Sequence, residues 1–171
     1  MKGFVSYLMV SLIIWLFLFI LVELKVICDN KRKVKEAYQD LLEIYNKHIK
    51  MIKDAIKYIK NYSVWDAKSL EKDLNFVLSE ENVFCESSLN KVRIIIKKIA
   101  LFDEVFDELK NNKKYEKIKK ELKEFDNRIN FFIKEYNLKV ELYNKKNSSF
   151  PTSFVSLFFK EENFNLIVLK S

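Results

Sequence analysis

The sequence predicts an all-α protein, with an N-terminal single transmembrane helix followed by an antiparallel bundle of three to four helices. Three observations carry this. The 171 residues include one glycine and one proline, where average usage gives roughly twelve and eight. Sandwiches, barrels and doubly wound sheets need many more turn formers than that. The chain opens on an uncharged apolar run of the length that crosses a bilayer. Beyond it, apolar residues recur every three or four positions, the period of a helix face. With 49% hydrophobic and 32% charged residues of both signs, the chain also lacks the composition of a disordered protein.

The first element is the run from Gly3 to Val22, which contains no charged residue. Twenty helical residues at ~1.5 Å each span ~30 Å, the thickness of a hydrocarbon core. A cleaved signal peptide has a shorter apolar region and small residues at the cut, whereas Val22-Glu23-Leu24-Lys25 offers no Ala-x-Ala pattern. A lipoprotein signal places a small residue before its cysteine, and Ile27 precedes Cys28. Residues 1–28 are therefore expected to stay in place as an anchor. Lys25, Lys31, Arg32, Lys33 and Lys35 follow it and Lys2 precedes it, so the rule that counts Lys and Arg puts the bulk of the chain in the cytoplasm. The expected location is the inner membrane of the cell, single-pass, with an extracytoplasmic bulk as the alternative.

The bundle is expected over residues 29–147. From Lys31 to about Tyr62, Val34, Tyr38, Leu41, Tyr45, His48, Ile52, Ala55, Ile59 and Tyr62 alternate steps of four and three and form one stripe. Its start lies so close to the anchor that the two helices read as nearly continuous. Ser63 and Asp66 have the spacing of a capping pair. A shorter helix, about Trp65 to Ser79, then carries Leu70, Leu74, Val77 and Leu78 on its apolar face. Polar residues near Glu80 to Asn82 weaken the pattern, leaving one helix or two over residues 63–110. Ser87 or Ser88 is the expected cap of the next helix, which buries Leu89, Val92, Ile96, Ile99, Phe102, Phe106 and Leu109.

Asn111-Asn112 suits a tight turn. A last long helix is predicted from about Lys113 to Lys146, with Tyr115, Ile118, Leu122, Phe125, Ile129, Phe132, Tyr136, Val140 and Tyr143 on one face. Pro151 stops it, because the residue before a proline is pushed out of the α region. Residues 148–171 form a C-terminal tail with an apolar stretch that includes Phe154, Phe158 and Phe159.

These residues resemble the LemA family. Val34-x-x-Ala37-Tyr38 is similar to the family's Val-x-x-Ala-Trp, and Ile56-x-x-Ile59-Lys60-Asn61-Tyr62 to its Val-x-x-Val-Lys-Gly-Tyr. Phe106-Asp107-Glu108-Leu109-Lys110-Asn111-Asn112 resembles Tyr-Pro-x-Leu-Lys-Ala-Asn, followed in register by Tyr115, Ile118, Leu122, Asn127-Arg128-Ile129, Tyr136-Asn137, Val140, Tyr143-Asn144 and Phe150-Pro151. Where the family has Leu-Ile-Pro-Asn-Leu-Val, this chain has Met51-Ile52-Lys53-Asp54-Ala55-Ile56. The resemblance implies an N-terminally anchored helical bundle and supplies no substrate or catalytic residue.

The chemistry-bearing residues are few. Cys28 and Cys85 have no neighbouring thiol, and His48 is the single histidine, so no disulfide framework, zinc spacing or two-histidine site follows. Nucleophile motifs and phosphate-binding glycine loops are absent. No enzyme activity and no cofactor or metal are expected. Asp103, Glu104, Asp107 and Glu108 read as a solvated acidic face. The net charge of +7 comes from lysines interleaved with glutamates, and the aromatics lie on the helix stripes as core, so no nucleic-acid partner is expected.

Asn127, Arg128, Tyr136, Asn137, Tyr143 and Asn144 are candidates for hydrogen bonds between helices or for a polar groove that takes a peptide or small ligand. Lys31, Arg32, Lys33, Lys35, Phe154, Phe158 and Phe159 are candidates for contact with the membrane surface. The leading expectation is a scaffold or adaptor for an unidentified protein partner at the membrane, with self-association left open. The alternatives are a ligand-sensing or regulatory module for a membrane enzyme and a lipid-organising protein.

Overall fold

The computed structural model describes residues 2–80, 84–156 and 164–168. Among these there are seven helices and no strand. They are α1 (Lys2–Lys60), α2 (Val64–Leu78), α3 (Glu86–Val105), α4 (Asp107–Lys110), α5 (Lys113–Lys123), α6 (Phe125–Ser148) and α7 (Thr152–Ser156). The chain is all-α, as its composition demands. Helix α1 is continuous over 59 residues, because Gly3 is its only glycine and no proline interrupts it. The apolar run and the first bundle helix are one element.

The chain forms two compact units. The first comprises residues 1–38 and 135–166, and the second residues 39–134 and 167–171.

In the first unit, every apolar side chain from Phe4 to Leu18 is exposed, by 49 to 81%. Burial begins at Glu23 and continues through Ile27 and Val34 on α1, with Tyr136, Val140 and Tyr143 buried on α6 and Val155 on α7. Two contacts fix direction. The Tyr38 ring lies 5.6 Å from that of Tyr136, and the Thr152 hydroxyl donates to Glu23 Oε2 at 2.7 Å. Moving from Tyr38 back to Glu23 along α1 corresponds to moving forward from Tyr136 to Thr152, so α6 runs antiparallel to α1. Helix α6 ends at Ser148, three residues before Pro151, where the sequence places its stop.

In the second unit, one core joins Leu41, Tyr45, Ile52 and Ile59 of α1 with Leu70 and Leu74 of α2, Leu89, Val92 and Ile99 of α3, and Tyr115, Leu122, Phe125 and Ile129 of α5 and α6. Tyr115 Oη donates to the Ile99 carbonyl at 2.6 Å, so a buried hydroxyl is satisfied where α5 packs on α3. Residues 63–110 form two long helices and a short one, with α2 and α3 packed on each other. Lys98 bridges to Asp73 at 2.8 Å, and Arg93 to Asp126 at 2.5 Å. These pairs sit at the rim, where each contributes ~1 kcal/mol at most.

The helix ends follow local chemistry. Ser63 Oγ accepts from the Asp66 N–H at 3.3 Å and donates to Asp66 Oδ2, the predicted pair. Asn112 Oδ1 accepts from the N–H groups of Lys114 and Tyr115, so the asparagine pair both ends α4 and caps α5. The cap of α3 is Cys85, not Ser87 or Ser88. Its backbone is extended (φ −69°, ψ 152°) and its Sγ accepts from the Ser88 N–H at 3.4 Å. With the helix starting at Glu86, both serines already lie inside the first turn.

Two predicted helices are interrupted. Helix α3 ends at Val105, where Phe106 turns extended (φ −121°, ψ 98°) and stacks on Phe102 with ring centroids 6.3 Å apart. Lys113 to Lys146 is likewise not one helix. At Glu124 the N–H donates to the Glu121 carbonyl at 3.2 Å, a tighter turn of the i−3 kind. Leu122 and Phe125, both buried, keep the apolar face unbroken across it, which is why periodicity did not reveal the break. On α2, Leu78 is exposed and Ala67 is buried instead.

Candidate functional site

In the first unit, α6 climbs α1 and the chain reverses through residues 149–156. The reversal is pinned by Thr152, wholly buried, whose hydroxyl bonds the carboxylate of Glu23, itself 8% exposed. Glu23 is the first charged residue after the uncharged run. A buried carboxylate demands a donor, and the chain brings one from a position 129 residues away. On either side of Thr152 stand Phe150, 83% exposed, and Phe154, 50% exposed.

Past the reversal the tail returns along α6. Tyr136 Oη donates to the Asn165 carbonyl at 3.1 Å, and Asn144 Nδ2 donates to the Phe164 carbonyl at 3.5 Å. The Tyr143 ring meets the Phe164 ring edge-on at 5.2 Å. Three of the six polar candidates therefore engage the chain's own tail, a peptide with no regular secondary structure. Burial pushes the Tyr136 hydroxyl above its usual pKa, with Tyr38 adding a smaller push. Asn137, half-buried, also has an interaction within the molecule.

Asn127 and Arg128 lie in the second unit. Asn127 is exposed and donates to Glu124 at 3.4 Å. Arg128 is half-buried and near His48. His48 is wholly buried. Its Nδ1–H donates to the Ile44 carbonyl at 2.7 Å and its ring meets Phe125 edge-on at 5.2 Å. Nε2 has no hydrogen-bond partner among the described residues. Burial holds this imidazole below its ordinary pKa, against the raising pull of the Ile44 carbonyl. The charges of Arg128 and Lys47 lower it further, and Glu121 opposes them. The result is a neutral core histidine.

Of the membrane-surface candidates, Arg32 is flanked by Asp29 at 3.6 Å and Glu36 at 3.8 Å. Lys31 and Lys35 also have interactions within the molecule, and Lys33 is exposed. Along the helix axis Lys31 stands ~13 Å and Lys35 ~20 Å beyond Val22, more than a Debye length of ~8 Å. Lys25, ~4.5 Å beyond it, is better placed to meet a surface charge. Phe158 and Phe159, together with the side chains of Asp103 and Asp107, lie outside the described residues. Glu104 and Glu108 are exposed. Cys28 and Cys85 are free thiols. Among the described residues, no group of three or more His, Cys, Asp or Glu side chains is gathered as a metal site.

The second unit carries a mainly apolar groove between α2 and α3, lined by Leu70, Leu101, Phe102, Val105 and Trp65, the last 79% exposed, together with Asp66, Ser69 and Lys98. Periodicity missed it because Trp65, Leu101 and Val105 flank the stripes to which Leu70 and Phe102 belong. Nothing in the local sequence announces that Glu23 pairs with Thr152.

The LemA family model matches residues 79–169, just over half of the chain. The resemblances over residues 34–38 and 56–62 fall outside that segment. No curated protein and no solved structure matches the chain.

Proposed function

The chain belongs to the LemA family, and from that premise we propose that it is a membrane-anchored, non-enzymatic helical bundle serving as a scaffold or adaptor for protein partners. One observation carries the anchor. The chain has a helix long and apolar enough to cross a membrane, its side chains from Phe4 to Leu18 are exposed rather than packed, and hydrocarbon is the solvent that suits such a surface. The helix runs on without interruption into buried Ile27 and Val34. That continuity supports a retained anchor over a leader that is cut away.

The excess of Lys and Arg after the run supports a cytoplasmic bulk. Alkaline phosphatase fused to the C-terminus checks this in an intact bacterium: the fusion is expected to be inactive, and strong activity contradicts the orientation.

The adaptor reading rests on the groove between α2 and α3. An exposed tryptophan beside aliphatic residues has the make-up of a protein contact. A photocrosslinking amino acid placed at Trp65 in living cells is expected to give a recurrent protein adduct that the same probe at exposed Lys53 does not. No adduct at position 65 under any growth condition contradicts the adaptor.

A further inference from the structure

The geometry points to the reversal at residues 149–156 as a second point of membrane contact, with Phe150 and Phe154 seated in the interface of the leaflet that the anchor leaves. This rests on the anchor reading of the preceding section and adds a surface to it. Three observations, all within the first unit, lead there.

The first is level. Glu23 directly follows the uncharged run, so an α1 that spans the bilayer puts this carboxylate at the boundary between acyl chains and headgroups. Thr152 is hydrogen-bonded to it and shares that level. Phe150 and Phe154 are each two residues from Thr152, at most ~7 Å of chain.

The second is direction. From Tyr136 beside Tyr38 to Thr152 beside Glu23, α6 travels toward the anchor. By Phe164 and Asn165 the chain is back at Tyr143, Asn144 and Tyr136. Among the described residues of α6, α7 and the tail, the reversal is therefore the part nearest the apolar run.

The third is chemistry. At this apex the chain exposes aromatic rings, Phe150 by 83% and Phe154 by 50%, although the neighbouring Thr152 and Val155 are buried. Aromatic side chains in water at that depth are costly, and at a membrane boundary they act as interfacial anchors. Lys25, ~4.5 Å beyond Val22 on α1, is placed to meet the anionic headgroups that such a wedge sits among. The Glu23–Thr152 bond is the clamp that holds the wedge at this depth.

The test uses the full chain in phosphatidylcholine–phosphatidylglycerol vesicles. Trp15 and Trp65 are replaced by Phe, Phe150→Trp supplies a single indole, and its emission is read with nitroxide labels high or low on the acyl chain. A second protein carries only Trp15, the control within the anchor. The expected result is a blue-shifted indole from Phe150→Trp that the shallow label quenches more than the deep one, while the deep label quenches Trp15. Adding Thr152→Val is expected to remove most of the shallow quenching, and Glu23→Gln, which keeps an acceptor for the hydroxyl, to retain it.

Quenched Trp15 with a water-like, unquenched indole at position 150 overturns the second contact and leaves the anchor standing. If neither is quenched, the anchor reading itself falls and takes this inference with it. Unchanged quenching in the folded Thr152→Val protein overturns the clamp.

Discussion

The hydroxyl of Thr152 donates to the carboxylate of Glu23 at 2.7 Å, and both side chains are buried. The bond ties the end of α6 to the first polar residue after the apolar run. It satisfies a carboxylate that burial otherwise makes expensive. Thr152→Val keeps the shape and removes the donor, and it is expected to cost about 1–3 kcal/mol. Glu23→Gln is expected to cost less, since an amide oxygen still accepts. Urea titration of the full chain in detergent measures both, and equal stability of Thr152→Val and wild type contradicts the assignment.

His48 predicts a pH dependence. Its folded pKa lies below the ordinary value, so the unfolded chain binds the proton more readily. The contribution to stability is complete above about 6.5, the unfolded pKa, and is lost as pH falls from there toward the folded pKa. His48→Gln removes the titration and keeps a donor and an acceptor. The gap in urea midpoint between wild type and His48→Gln is expected to move against the wild type on acidification. A gap that does not change with pH excludes a neutral buried His48 as its source.

Two caps of the second unit, Ser63 and Cys85, are expected to respond in opposite directions. Ser63→Ala removes the oxygen that accepts from Asp66 N–H and should lower stability by about 1 kcal/mol. Cys85→Ser replaces a weak sulfur acceptor at 3.4 Å with a strong one and should raise it by roughly 0.5 kcal/mol. Thermal denaturation followed by circular dichroism separates the two. A destabilising Cys85→Ser excludes the capping role.

Tyr136 and Asn144 are expected to hold the tail. Tyr136→Phe deletes the hydroxyl that bonds the Asn165 carbonyl and leaves the buried ring in place. Limited proteolysis should then cut the C-terminal segment several-fold faster, with the helices unchanged by circular dichroism. An unaltered cleavage rate means that the tail is held elsewhere.

Much of this architecture was legible in the sequence. Of the stripe from Val34 to Tyr62, Val34, Leu41, Tyr45, His48, Ile52, Ala55 and Ile59 are buried, whereas Tyr38 and Tyr62 are exposed. Ile49 and Ile56 are buried too, because a helix that meets more than one neighbour hides a wider face than a two-helix seam does. Ser63 with Asp66 and Asn111-Asn112 were readable because caps and turns are local chemistry.

The turns at Phe106 and Glu124 were not readable, since apolar spacing continues through both. Nor was the partner of Glu23, which is 129 residues away, or the return of the tail to Tyr136. Those depend on where the folded chain comes back on itself, and a pattern of three and four carries no such information. Tyr136, Tyr143 and Asn144 stand out in the sequence as polar or aromatic residues of an apolar helix, but their facing the tail follows only from contacts with Phe164 and Asn165.

Retention of the uncharged run in the folded protein, where it holds the chain in a membrane, is the point on which the rest depends. Carbonate extraction of cell membranes, followed by intact mass measurement of the extracted and retained chain, tests it directly. A species of about 20.6 kDa that stays in the membrane pellet is expected. A shorter species lacking the run up to Val22, released into the supernatant, contradicts it.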